Sequence, residues 1–295
     1  MDESSSRFVD RIAMDRLVQG KLAKVHHHPA QPLPPPMAFA GTLDPGGPHL
    51  VSYPVVRPRG TVLFVHGLFE DQREIYGFLF SGLRRLGYSI ELYSLPHHYQ
   101  RKSADSLFSG EFFFSADIVR TRQAFLQAAA ELSAILARLR QESSGPVFLA
   151  GFSMGASIVL LLSTLVEGMD GVCAINPPAL FPELIWTSPL CRTIRADLET
   201  AGVTADRVAS YFKDIDPISL DRTLVDPGRI VMMQALYDLV TEQRQYEALA
   251  NTWQFPHRIR YQAGHLNTLR VPRLADDMVK FFESLPARTR ESGRG

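Results

Sequence analysis

Between residues 147 and 165 the chain reads VFLAGFSMGASIVLLLSTL, a short apolar run, the pattern G-x-S-x-G, and a second apolar run. Val147, Phe148 and Leu149 follow Gly145-Pro146 and read as a buried strand. Ile158, Leu161, Leu162 and Leu165 recur at helical spacing. A strand and a helix joined so closely require a tight, strained turn, and Ser153 falls on it with its hydroxyl projecting away from the backbone. Gly151 and Gly155 allow the turn, because side chains there would collide with the neighbouring strand and helix. The plain alternative is a Gly-Ser turn in any strand–helix unit. The flanking runs favour a nucleophile.

The same rhythm extends along the chain. Strands are predicted at 61–67, 88–96, 146–152, 171–176, 229–236 and 257–262, and helices at 71–86, 115–142, 242–251 and 273–285. Strands alternating with helices argue for a mostly parallel sheet covered on both faces, in one α/β domain over 37–286. Residues 177–228 interrupt the rhythm and read as an inserted lid, rich in apolar residues such as Leu184, Trp186 and Phe212. A short hairpin is predicted over 37–56, turning at Asp44-Pro45-Gly46-Gly47.

Ahead of this domain, 1–36 combines an amphipathic helix with a proline-rich connector. Phe8, Val9, Ile12, Ala13, Leu17 and Val18 fall on one helical face, which is expected to pack on the main body. Asp10 and Asp15 dilute the basic character that a membrane-surface helix needs. The connector VHHHPAQPLPPP carries His26 to His28, but adjacent residues of an extended chain point in opposite directions, so no metal site is expected. The tail 287–295 is polar and expected to be disordered.

Composition removes several function classes. Lys+Arg and Asp+Glu are both 31, so the net charge is zero and nothing points to nucleic acid as a partner. No apolar stretch approaches the roughly 20 residues that span a bilayer. The polar N-terminus does not read as a secretory signal. Two cysteines, Cys173 and Cys191, fit a reducing compartment, and the cytoplasm is the expected location.

A serine hydroxyl needs a base, and the base needs an orienting carboxylate. In parallel sheets ligands bind beyond the carboxyl ends of the strands, so the partners of Ser153 belong there. His265 follows the last predicted strand and Asp238 the one before it, in the chain order Ser, Asp, His. His257 and Asp170 open strands and would sit at the wrong end. The N–H of Met154, the residue after the nucleophile, is one expected oxyanion donor. The N–H of Leu68, in the FVHGLFED loop, is the other, with His66 and Phe69 beside the substrate.

Together, FVHG, GFSMG, the late aspartate and AGH resemble the α/β-hydrolase superfamily over about residues 50–286. That resemblance implies an α/β-hydrolase fold with an eight-stranded, mostly parallel sheet, a Ser153–Asp238–His265 triad and no cofactor. The stretch 95–125 also looks like the group related to α/β-hydrolase domain-containing protein 18. This narrower likeness implies that His98, Arg101, Ser109, Gly110, Glu111, Asp117 and Arg120 lie near the pocket, with His98 or Arg101 holding a polar substrate group. The expected activity is hydrolysis of a small-molecule carboxylic ester or thioester with an apolar acyl chain. An acyltransferase on the same triad and a non-catalytic binding protein of the same fold are the alternatives.

Overall fold

The computed structural model describes residues 2–22, 49–220 and 223–288. Seven strands form one sheet: β1 (Leu50–Tyr53), β2 (Gly60–Val65), β3 (Tyr88–Tyr93), β4 (Val147–Phe152), β5 (Val172–Ile175), β6 (Ile230–Ala235) and β7 (His257–Tyr261). Their spatial order is β1-β3-β2-β4-β5-β6-β7, and every pairing is parallel except β1 with β3. The sheet thus has seven strands among the described residues where the resemblance implied eight. Of the hairpin predicted over 37–56, residues 49–56 lie within them, and 50–53 form β1. β1 adds to the open edge of β3, whose N–H and C=O groups accept any neighbouring strand.

β2 and β4 are buried on both faces, as central parallel strands are. Their alternation sends side chains into two separate cores. Leu63, Val65 and Leu149 pack under α3 (Ile118–Glu142) and α4 (Met154–Leu165). Val62, Phe64 and Phe148 pack under α2 (Gly77–Arg85) and α9 (Leu274–Ser284), where the Phe148 and Phe282 rings stack with centroids 4.0 Å apart. α8 (Gln243–Trp253) links β6 to β7.

The insertion folds into three short helices, α5 (Phe181–Thr187), α6 (Arg192–Thr200) and α7 (Ala205–Tyr211). Phe181, Ile185, Val208 and Phe212 are buried in the core, so much of the apolar content of 177–228 holds the insertion down.

The N-terminal helix, α1 (Glu3–Arg16), departs from its sequence reading. Its buried face is Ser6, Asp10 and Met14, while Phe8 is 62% exposed. Apolar periodicity would be decisive if the helix lay on an apolar surface. Here it lies on loops that present backbone N–H groups, which a carboxylate satisfies and a phenyl ring does not. The proline-rich connector, with His26 to His28, lies outside the described residues, as does most of the C-terminal tail.

Candidate active site

Ser153 sits between β4 and α4 at φ +53°, a left-handed conformation that a non-glycine residue adopts only under constraint. Its N–H is fixed to the Ile175 carbonyl at 2.8 Å. A Cβ on Gly151 would run into the backbone of Gly155, and one on Gly155 into the backbone of Val65 and His66. Both positions therefore need glycine, which is how the strand, turn and helix come close enough to press Ser153 outward.

Loops at the carboxyl ends of three strands bring the candidate side chains together. Ser153 Oγ lies 2.9 Å from His265 Nε2, and His265 Nδ1 lies 2.7 Å from Asp238 Oδ2. The carboxylate accepts at Nδ1, so Nδ1 carries the proton and Nε2 accepts from the serine hydroxyl. Asp238 is itself well held. Its Oδ1 accepts from the N–H groups of Val240 and Thr241 at 2.8 Å each, and its Oδ2 from the Tyr246 hydroxyl at 2.6 Å.

Burial pulls the His265 imidazole down, but the negative charge of Asp238 and its hydrogen bond, helped by Asp10 and Glu70, more than offset this. The imidazole ends above its ordinary value. His265 is further anchored through its backbone. Asn176, at the end of β5 and also at positive φ, donates from Nδ2 to the His265 carbonyl at 3.0 Å.

The loop after β2 faces Ser153. Gly67 N–H donates to the Tyr76 hydroxyl at 2.8 Å and to Glu70 Oε1 at 3.2 Å, and Tyr76 donates to the same carboxyl oxygen at 2.5 Å. Tyr99 donates to Glu70 Oε2 at 3.1 Å. Burial pushes the Glu70 carboxyl up to about 7, against these hydrogen bonds. The Glu70 network braces the loop from below. Sequence reasoning missed it, because its members come from two separate loops.

A cavity of about 430 Å³ opens over Ser153 and His265. Leu68, Phe69 and Phe152 line one side, Leu184 and Leu190 of the insertion another, and Ala13, Met14 and Leu17 a third. The third side belongs to the N-terminal segment, so the cover expected from 177–228 alone is shared with α1. No group of side chains able to hold a metal occurs among the described residues.

Three other predicted substrate contacts lie away from this cavity. His66 is fully buried, with Nδ1 donating to the Gly67 carbonyl at 2.7 Å and Nε2 accepting from Leu95 N–H at 3.0 Å. Burial holds its imidazole down at about 3, so it is neutral. His98 is fully buried, its Nδ1 2.9 Å from the Pro96 carbonyl. Arg101 makes a bidentate ion pair with Glu131, both bonds 2.8 Å, and donates to the Ser94 carbonyl. Those residues order the loop after β3.

The sequence matches the profile of the Alpha/beta hydrolase family over residues 62–287. The chain belongs to that family. Rv2627c, an uncharacterized protein of Mycobacterium tuberculosis, is 27% identical over 237 residues, covering 78% of this chain and 52% of that protein. The chain thus spans about half the length of this curated relative. Among solved structures, TT1662 of Thermus thermophilus superposes with a TM-score of 0.55 at 19% identity, covering 81% of this chain and 94% of that one. A soluble variant of the monoglyceride lipase of Saccharomyces cerevisiae gives 0.55 at 14% identity, covering 85% and 100%. At these identities the likeness is one of fold.

Proposed function

We propose that this chain is a serine hydrolase that cleaves a carboxylic ester or thioester through an acyl-enzyme on Ser153. One observation carries the proposal: a strained serine whose Oγ lies 2.9 Å from His265 Nε2, with Asp238 2.7 Å from the other ring nitrogen. His265 takes the hydroxyl proton as Oγ attacks the carbonyl carbon, and Asp238 stabilises the imidazolium. The Gly67 and Ser153 N–H groups are already engaged. The next N–H on each loop, Leu68 and Met154, receives the oxyanion, the latter aided by the N-terminus of α4. The leaving alcohol or thiol takes the proton from His265. A water, activated by the same imidazole, then attacks the acyl-enzyme and releases the acid.

The largely apolar walls of the cavity support an apolar acyl group, and Arg16 at its edge is an exposed cation on that rim. The chemistry needs no cofactor. No helix among the described residues is long and apolar enough to cross a membrane. Both cysteines are free and buried, as suits a reducing compartment such as the cytoplasm.

The test is a series of p-nitrophenyl esters from acetate upward, with wild type and Ser153→Ala. Turnover should rise from acetate to longer chains and fall to background in the variant. Turnover that survives the substitution refutes the nucleophile, and preference for acetate over every longer chain refutes the apolar acyl group.

A further inference from the structure

We infer that Asp10 is a positioning residue for His265, and that the N-terminal segment completes the active site by clasping the loops that carry it. This inference rests on the serine-hydrolase reading above.

Asp10 is 1% exposed, although it lies on a helix at the edge of the fold. A carboxylate is costly to bury unless donors replace its water. Its donors here are backbone N–H groups of two loops. Oδ2 accepts from His265 N–H at 2.5 Å and from Leu239 N–H at 3.4 Å, and Oδ1 accepts from Leu266 N–H at 3.2 Å. Leu239 adjoins Asp238. One carboxylate therefore ties the loop of the base to the loop of its orienting acid.

Gly264 has the complementary shape. A Cβ there would stand 2.6 Å from the Asp10 carboxyl carbon, so the glycine is the recess into which the carboxylate fits. The backbone at Gly264 is not left-handed, which leaves this close approach as the physical reason for glycine.

The clasp has a second end. Lys21 Nζ donates to the Phe69 carbonyl at 3.0 Å and pairs with Asp71, both on the loop that carries Leu68. Between the two anchors, Ala13, Met14 and Leu17 wall the cavity. The N-terminal segment thus bridges the base side and the oxyanion side of one site.

The positioning matters because His265 must exchange a proton first with Ser153 and then with the leaving group, over distances set to tenths of an ångström. Asp10 holds its N–H while Asn176 holds its carbonyl. The charged or titratable groups facing the imidazole are Asp238 and Tyr246 behind it, Glu70 from the loop after β2, and Asp10 from α1. Removing the Asp10 charge takes away one of the influences that favour the imidazolium.

The test compares Asp10→Asn, Asp10→Ala, Gly264→Ala and the double variant Asp10→Ala/Gly264→Ala with wild type and Ser153→Ala. Hydrolysis of one p-nitrophenyl ester is followed across pH, with thermal unfolding alongside. Asp10→Ala should lower kcat about 10- to 100-fold while KM stays within about 3-fold, the scale of a misplaced catalytic group. In both Asp10 variants the acidic limb of kcat/KM should move to lower pH. Gly264→Ala should lose activity by displacing the carboxylate, and the double variant should be no worse than Asp10→Ala, because the clash is gone.

Wild-type kcat and an unmoved acidic limb in the Asp10 variants overturn the inference, as does a change in KM alone. Wild-type kcat in Gly264→Ala, or additive losses in the double variant, also overturn it, so a poorly folded Asp10→Ala does not shield the clasp from refutation. Ser153→Ala separates the two levels: if it keeps turnover, the hydrolase reading fails, whereas if it is dead and the Asp10 variants are normal, only the clasp fails.

Discussion

Arg101 offers a sharp separation between structure and substrate binding. Its side chain is 4% exposed and that of Glu131 1%, and the pair is bidentate at 2.8 Å. Replacing Arg101 with Leu leaves a buried carboxylate without its cation, a loss that costs about 3–5 kcal/mol. Tyr93 and Gln127 still donate to Glu131, at 2.6 and 2.8 Å, so the low end, about 3 kcal/mol, applies. An unfolding entropy of about 2.1 cal/mol/K per residue gives roughly 0.6 kcal/mol/K for a chain of this length, and hence a fall in Tm of about 5 °C. Arg101→Leu/Glu131→Leu should recover most of it, because no charge then stays buried. Thermal unfolding followed by circular dichroism measures the shift, and ester hydrolysis below the transition measures KM. An unchanged Tm with a KM raised many-fold would refute this reasoning and return Arg101 to the substrate.

Two further outcomes follow from buried titratable groups. In the proposed mechanism the neutral imidazole of His265 accepts the proton, and its pKa is raised, so kcat/KM should be lost as pH falls with a midpoint above the ordinary 6.5; a midpoint below it would contradict the site's electrostatics. Burial pushes the Asp216 carboxyl up to about 8, so between its unfolded value and 8 the folded state holds a proton that the unfolded chain releases, and stability falls as pH rises through that window. Asp216→Asn should remove that slope and be more stable than wild type at pH 8–9 by chemical denaturation; equal slopes in the two proteins would argue against it.

The residues brought together at the site differ in how legible they were. Ser153 stood between a short apolar strand-like run and a run of helical period, and Asp238 and His265 each followed a strand, so the parallel-sheet rule put them at one rim. Asp10 was hidden because helical periodicity ranks faces by hydrophobicity, and the surface that α1 covers is made of backbone N–H groups from residues more than 200 positions away. The stretch 95–125 misled in the opposite sense. Its His and Arg look like ligand-binding residues, yet His98 is held by the Pro96 carbonyl and Arg101 by Glu131, on a helix whose inward face reads as apolar. Glu70, Tyr76 and Tyr99 form one network only because two loops meet, and nothing in their spacing announces it. The segment 177–228 was recognisable as an insertion, but whether each apolar side chain faces cavity or core is decided by the packing of α5 to α7.

Mass spectrometry of the protein after reaction with a fluorophosphonate tests the central claim most directly. A single adduct on the peptide containing Ser153, absent in Ser153→Ala, is the expected result. An adduct on any other residue, or none on folded wild-type protein, would contradict the account.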